Sequence, residues 1–332
     1  MRQSRGPRAE CGRLLQGGSS PQGGLTEPGR ARRVGLDNAR ALTHNRSMNR
    51  LSLPLRTQIL SALVEGNSIR GTCRMMGVDK KTVLRLLASV GDACDAYLDD
   101  TIHDLKCKRV QCDEIWSFCH AKERNLPRKM RGADGVGDLW TWTAIDADTK
   151  LIVTWHLGKR TRGDAELFVR DLASRVSSER VQITTDGLGS YNEPIRRYFH
   201  HRADHGSEVK DYGVLDGESP ERKYSPLVVK QVIRTPLYGV PDPDYISTAY
   251  VERQNLTMRM SMRRFTRLTN GFSKKAENLQ RSLALYFMNY NFCRVHQTLK
   301  TTPAIKAGLT DRIWTLHDLA NLPELMRGGL AA

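Results

Sequence analysis

Between residues 105 and 185 the apolar pattern switches from a period of two to about 3.6 and back, and this switching limits the folds open to the chain more than any other feature. Arg109–His120 alternates and is rich in strand formers, and Leu139–Ile145 followed by Leu151–His156 reads as a hairpin around Asp146-Ala147-Asp148-Thr149-Lys150. Asp164–Val176 carries Leu167, Phe168, Leu172 and Val176 on one helical side, and Val181–Thr185 is a short apolar strand that stops at Asp186-Gly187. Three strands, a helix and a fourth strand predict a mixed α/β layer fold. Tyr191–Phe199 reads as another helix. Residues 204–247 are rich in Pro, Gly and charge and read as an insertion with room for one strand. Two helices follow, about Thr248–Leu268 and Lys274–Tyr290.

Upstream of the strands the pattern is all helical. Leu55, Ile59, Leu60, Leu63 and Val64 give a first helix that Gly66 ends. Ser68 caps a second, Ile69 to about Met76, and Gly77-Val78 makes the turn. Asp79 then accepts from the amides that open a third, Lys80–Val90. Val83, Leu86 and Leu87 face inward, which leaves Lys80, Lys81, Thr82 and Arg85 on the outer, N-terminal side, where a recognition helix meets bases and phosphates. A plain three-helix packing module with a solvated basic face fits the same pattern.

Residues 1–47 hold eight Gly, nine Arg and only Glu10, Glu27 and Asp37 as acids. Such a segment buries too little apolar area to offset its ordering entropy, so a disordered basic extension is expected. Three origins stay open for it: a DNA-touching arm, a transit peptide, or upstream sequence translated in frame with Met48 as the natural start. The third is preferred.

The whole chain has 332 residues, with 52 Lys+Arg against 36 Asp+Glu for a net charge of +16. A polyanionic partner is therefore expected. No apolar run approaches the roughly 20 residues of a membrane span. The seven cysteines make an odd number with no CxxC pair, which argues against a disulfide framework and a zinc ribbon and for a reducing, cytoplasmic setting.

Three acids stand out by position. Asp113 sits mid-strand in Val110-Gln111-Cys112-Asp113-Glu114-Ile115-Trp116, Asp186 at the carboxyl end of the fourth strand, and Glu252 near the start of a long basic helix. Side chains alternate along a strand, so Asp113 and Glu114 are expected on opposite faces with only one as a ligand. Separately each acid has an ordinary explanation, as a surface strand residue, a turn Asp before Gly, or a carboxylate at a helix N-terminus. The helix weighs against that. Ala249–Lys275 holds seven Lys/Arg and one acid, and at 100° per residue Glu252, Arg259 and Arg263 share a stripe that can follow a phosphate chain. Val251, Met258, Met262 and Phe265 form a second stripe, read as core.

Together these residues resemble the DDE-class transposases of bacterial insertion sequences, most closely the insertion-sequence-one family. The matching blocks are Leu55–Gly91, Val110–Ser117, Thr184-Thr185-Asp186-Gly187, Tyr250-Val251-Glu252-Arg253-Gln254-Asn255, and Tyr290–His296 with Leu299 and Thr302-Pro303. The resemblance implies a ribonuclease-H-like catalytic domain over 105–300, with the insertion at 204–247, preceded by a helix-turn-helix domain at 48–100 and followed by a C-terminal tail at 301–332. It implies Asp113, Asp186 and Glu252 as a metal-binding catalytic triad. Three departures stand out, one being that residues 1–47 have no counterpart in the family. The Asp186-to-Glu252 spacing, 252 − 186 = 66, is longer than the class norm and leaves Glu193, Glu218 and Glu221 as rivals for the third acid. The zinc-binding Cys pairs of some relatives are absent.

The chemistry expected of such a triad is phosphoryl transfer with two Mg²⁺ ions, Mn²⁺ substituting. The substrates would be double-stranded DNA, both element terminal repeats and target, and the enzyme a homo-oligomer. Arg253, Arg259, Arg263 and Arg264 would bind phosphates regardless of sequence. The alternatives are an inactive DNA-binding regulator or decayed copy, and a nuclease of the same fold that cuts without joining. His200, His201 and His205 lack a carboxylate pattern to support a metal site. Trp116, Trp140, Trp142 and Trp155 are read mainly as core, ahead of base stacking.

Overall fold

In the computed structural model, residues 50–213, 228–267 and 269–328 are described here. The expectations for 1–47, Glu218 and Glu221 lie outside them. The chain begins with three helices, α1 (Leu53–Val64), α2 (Ile69–Met76) and α3 (Lys80–Thr101). Ser68 Oγ accepts from the Gly71 amide at 2.9 Å and Asp79 Oδ1 from the Lys81 amide at 2.7 Å, so both helices open on side-chain caps. Gly77 ends α2 at φ +65°, a conformation that costs a β-carbon-bearing residue energy. Helix α3 does not stop near Val90 as its pattern suggests. Gly91 lets it continue, because a Cβ at this position would meet the Arg281 Cβ at 2.7 Å: the glycine is there for a close helix–helix approach, not for a break.

Strand β1 (Arg109–Cys119) is the hub of a six-stranded mixed sheet. It pairs antiparallel with β2 (Gly137–Asp146), which pairs antiparallel with β3 (Ile152–Gly158). After α4 (Arg162–Arg175) the chain returns as β4 (Val181–Thr185), parallel to β1 on its other side. Helix α5 (Asn192–Phe199) then crosses to β5 (Ala203–Gly213), parallel to β4, and β6 (Val228–Tyr238) closes the order β3-β2-β1-β4-β5-β6. The insertion read over 204–247 thus holds two strands, not one. Its first half is buried but polar: Asp204 binds Arg180 at 2.5 Å, His205 Nε2 lies 3.0 Å from Thr185 Oγ1, and Glu208 accepts from the Thr248 amide at 3.1 Å. Partnered polar groups replace the apolar alternation that marks a strand. The second half is exposed along nearly its whole length and has no inward face to pattern.

Helices α6 (Ala249–Ser261) and α7 (Ala276–Met288) follow. Helix α6 stops seven residues short of the expected Leu268, because Met262 turns to extended backbone and it and Phe265 are drawn into the core. The segment read as a C-terminal tail also folds, into α8 (Pro303–Lys306) and α9 (Leu316–Arg327), the latter opened by a Thr315/Asp318 capping box. Arg56 of α1, buried, donates to Glu324 at 3.0 and 3.2 Å, and Leu319, Ala320 and Leu322 are buried. The described residues from Leu51 onward form one unit, and among them a single cluster of buried side chains runs from Ile59 in α1 to Leu322 in α9. None of the described helices is long and apolar enough to cross a membrane.

Candidate active site

The register of two strands builds the site. Gln111 lies opposite Thr184 and Cys112 opposite Thr185, so Asp186 follows in step with Asp113. There β4 ends while β1 runs on to Cys119, and the two residues of β1 just past the last pair are both acids. Alternation does send their side chains to different neighbours. Asp113 Oδ2 accepts from Asn255 Nδ2 of α6 at 2.8 Å, whereas Glu114 Oε2 accepts from Arg160 Nε, in the β3–α4 loop, at 3.1 Å. Yet carboxylate oxygens of Asp113, Glu114 and Asp186 all lie within 4.8 Å of one another. The two adjacent acids thus take different neighbours, as expected, but where β4 ends on one side of β1 both carboxylates come within reach of Asp186.

Burial and mutual repulsion set the electrostatics. Asp113 is pushed up to about 7, first by burial, then by the charge of Asp186 and further by that of Glu252, against hydrogen bonds from the Glu114 amide and Asn255. Glu114, its side chain fully buried, is also pushed up to about 7 by burial and by Asp186, with Tyr191 and Arg160 pulling the other way. Asp186 Oδ1 accepts from the Leu188 amide at 2.9 Å, and its Oδ2 lies 3.4 Å from Arg160 Nη2. Three like charges in so small a volume call for a cation.

Helix α6 carries Glu252 toward this cluster. Buried Gln111 of β1 accepts from the Tyr250 and Val251 amides at 2.8 and 3.1 Å, which satisfies two N-terminal amides and pins the first turn of α6 to the strand that bears Asp113. Glu252 is close enough to raise Asp113 but lies outside the group of three. Its Oε1 is 2.5 Å from Lys210 Nζ and 2.8 Å from Thr248 Oγ1. The oxygen-only donor set suits a hard divalent ion, and Glu114 reaches it from a fully buried position beside Tyr191.

Of the expected phosphate contacts, Lys80, Lys81 and Arg85 are exposed and Thr82 half-buried at the start of α3, and Arg253 is exposed on α6. Arg259 faces the site closely enough to feel Asp113, its guanidinium lowered by burial and by Arg267. Arg263 is exposed but lies past the end of α6, so the stripe with Glu252 and Arg259 is broken there. Arg264 departs from expectation: its Nε is buried without a hydrogen-bond partner and burial pushes the guanidinium down to about 10, so it points inward rather than at a phosphate. Glu193, a rival third acid, pairs with Arg162 and with Arg197 instead.

Arg160, Lys210 and Asn255 escaped the sequence reading. Asn255 had a signal, three residues after Glu252 on the same helical face. For the cations in loop and strand there was none. Among the described residues His200, His201 and His205 join no metal-ligating group. His205 is buried, and burial alone lowers it to about 4. Between that value and an unfolded value near 6.5, the unfolded chain binds a proton that the native state refuses. The His205 contribution to stability is thus full above about pH 6.5 and falls by up to about 3 kcal/mol toward pH 4. Asp113 and Glu114, raised to about 7, contribute the opposite slope over the same range, so the His205 share is read by chemical denaturation as the difference between wild type and His205→Gln, which should shrink from pH 7 to pH 4.

No family model and no curated protein matches the chain. Among solved structures, it is similar to a Mos1 strand transfer complex (11% identity over 86% of this chain and 80% of that one, TM-score 0.29). It is likewise similar to a Mos1 mariner paired-end complex with Mn (11%, 86% and 80%, TM-score 0.31) and to a piggyBac transposase synaptic complex with hairpin DNA (13%, 87% and 76%, TM-score 0.34). These likenesses are faint, and the functional reading stands on the geometry of the site.

Proposed function

We propose that the chain is a DDE-class DNA transposase with a ribonuclease-H-like catalytic fold, of the insertion-sequence-one kind. The observation that carries this reading is the convergence of Asp113, Glu114 and Asp186 where β4 ends, with Glu252 brought alongside by α6. Asp113, Asp186 and Glu252 would hold two Mg²⁺ ions, Mn²⁺ substituting, with Glu114 beside them. When bound, such a pair lowers the pKa of a water and stabilises the attacking and leaving oxygens of an in-line displacement.

The protein's own groups do the rest. Asn255 orients Asp113, the Leu188 amide orients Asp186, and Gln111 fixes the helix that presents Glu252. Arg259 offers a guanidinium to a phosphate entering the cluster. In the first reaction water attacks a phosphodiester at the element end, and the 3′ oxygen leaves as a hydroxyl. In the second that 3′-OH attacks a target phosphodiester, forming one P–O bond while another breaks. Lys80, Lys81, Thr82 and Arg85 would read the terminal repeats as a helix-turn-helix, while Arg253 and Arg263 hold backbone phosphates. Two ends must be joined, so the working form is a homo-oligomer on double-stranded DNA.

Labelled DNA carrying the flanking terminal repeats tests this. Mg²⁺-dependent cleavage followed by joining to a target plasmid is the expected result. Cleavage without joining would make the protein a nuclease, and binding without either would make it a regulator or an inactive copy.

A further inference from the structure

One face of the sheet changes character two residues beyond the acid cluster. Glu114 and its cross-strand partner Trp142 are roofed there, Trp142 fully buried against Phe168 and Tyr191 at ring distances of 6.0 and 5.3 Å. The next pair on the same face, Trp116 opposite Trp140, and Phe118 beyond it are only half-buried. The Trp116 and Phe118 ring centroids are 5.6 Å apart, and the Phe118 ring lies 4.7 Å from that of Phe272, a half-buried residue from the segment after α6, and is inclined to it at 31°. These four rings form a row, and what sits over them is cationic. Arg160 lies 4.8 Å from the Trp140 centroid, Lys122 5.5 Å from Trp116, and Lys274 3.8 Å from Phe272.

Arg160 joins this row to the acids, since the same guanidinium contacts Glu114 and Asp186. At the far end the β1–β2 loop exposes Arg124, Arg128, Lys129 and Arg131 against two acids, Glu123, which is held by Lys159 at 3.1 Å, and the exposed Asp134. A core surface has apolar neighbours over its rings. A protein-docking surface needs no such surplus of one sign. Rings flanked by cations match a nucleic-acid strand, whose bases stack on aromatic faces while its phosphates meet Lys and Arg. Bases within a duplex have their faces covered by one another, so only unpaired ones can use these rings.

We propose that Trp140, Trp116, Phe118 and Phe272 form a stacking strip for unpaired nucleotides of the DNA strand next to the acid cluster, with Arg160, Lys122 and Lys274 taking its phosphates. The choice of DNA rests on the proposed transposase reading; the strip itself does not depend on cleavage.

The full chain, in EDTA, is titrated against a fluorescein-labelled twelve-nucleotide oligothymidylate and, separately, a blunt duplex. Trp116→Ala should weaken oligothymidylate binding at least about fivefold and leave duplex binding within about twofold. Trp116→Phe, which keeps a ring, should bind like the wild type. Trp116→Leu, which keeps apolar bulk without a π face, should bind like the alanine variant and guards against a folding defect. Lys122→Ala should reduce the salt dependence by about 0.7, and the Trp116 variants should leave it unchanged. The proposal is overturned if the wild type ignores oligothymidylate, if Trp116→Leu binds it as the wild type does, or if both DNA forms weaken together. A wild type that binds oligothymidylate in this pattern yet never cleaves would sink the phosphoryl-transfer reading and leave the strip standing.

Discussion

Asp113→Asn protein should bind labelled element ends within about twofold of the wild type but cleave them about a thousandfold more slowly or not at all. A thousandfold corresponds to roughly 4 kcal/mol of transition-state stabilisation, within what loss of a ligand for a catalytic divalent ion removes. The substitution keeps shape and removes one of three crowded like charges; against that, its single amide oxygen can accept from Asn255 Nδ2 or from the Glu114 amide but not both, where the carboxylate accepts from each at 2.8 Å. The variant should therefore melt close to the wild type in the absence of metal. That pairing of unchanged stability with lost cleavage separates chemistry from folding. Cleavage at the wild-type rate would remove Asp113 from the mechanism.

The second large effect concerns the third acid. Glu252→Gln should lose cleavage and joining by about a hundredfold or more, whereas Glu193→Gln should stay within about twofold. Glu193 is occupied by Arg162 and Arg197 away from the cluster, while Glu252 sits within electrostatic reach of Asp113. Glu114→Gln is the informative companion. It keeps the side chain's bulk but weakens the hold on Arg160, so a drop of about tenfold with metal dependence unchanged is expected, as for a positioning residue. Cleavage that survives Glu252→Gln and vanishes in Glu114→Gln would move the third ligand onto β1. Both rates are read from the same gel assay.

The readability of this site follows the physics of each part. Strands β1 to β4 and helix α4 could be read because their apolar residues repeat at the periods their geometry demands, and Asp186 because an acid before Gly ends an apolar strand. Strand β5 could not, since Asp204, His205 and Glu208 are buried through polar partners that are distant in sequence. Glu114 was set aside because alternation puts it on the face opposite Asp113; that holds, but the face alone does not tell how closely an acid at the end of β4 approaches both. The inward turn of Arg264 and the early end of α6 have one cause: Met262 and Phe265 gain more from the core than two further helical turns would return. Arg160 comes to the acids through a loop, and loops carry no period.

The unbroken length of α3 has a mechanical meaning. Its 22 residues span about 33 Å at 1.5 Å per residue, from the exposed lysines at one end to Thr101, eight positions (109 − 101) before β1 begins. Arg175 of α4 clamps the far end, donating to Asp99 at 2.5 Å and to the Ile102 carbonyl at 3.0 Å. A rod fixed in this way would act as a ruler under the proposed reading: were the lysines to read sequence and the acid cluster to break the bond, the number of base pairs between recognised repeat and severed bond would be set by the protein rather than by a slack tether. Shifting the repeat by half a turn of DNA would then cost the enzyme its cut, not merely move it.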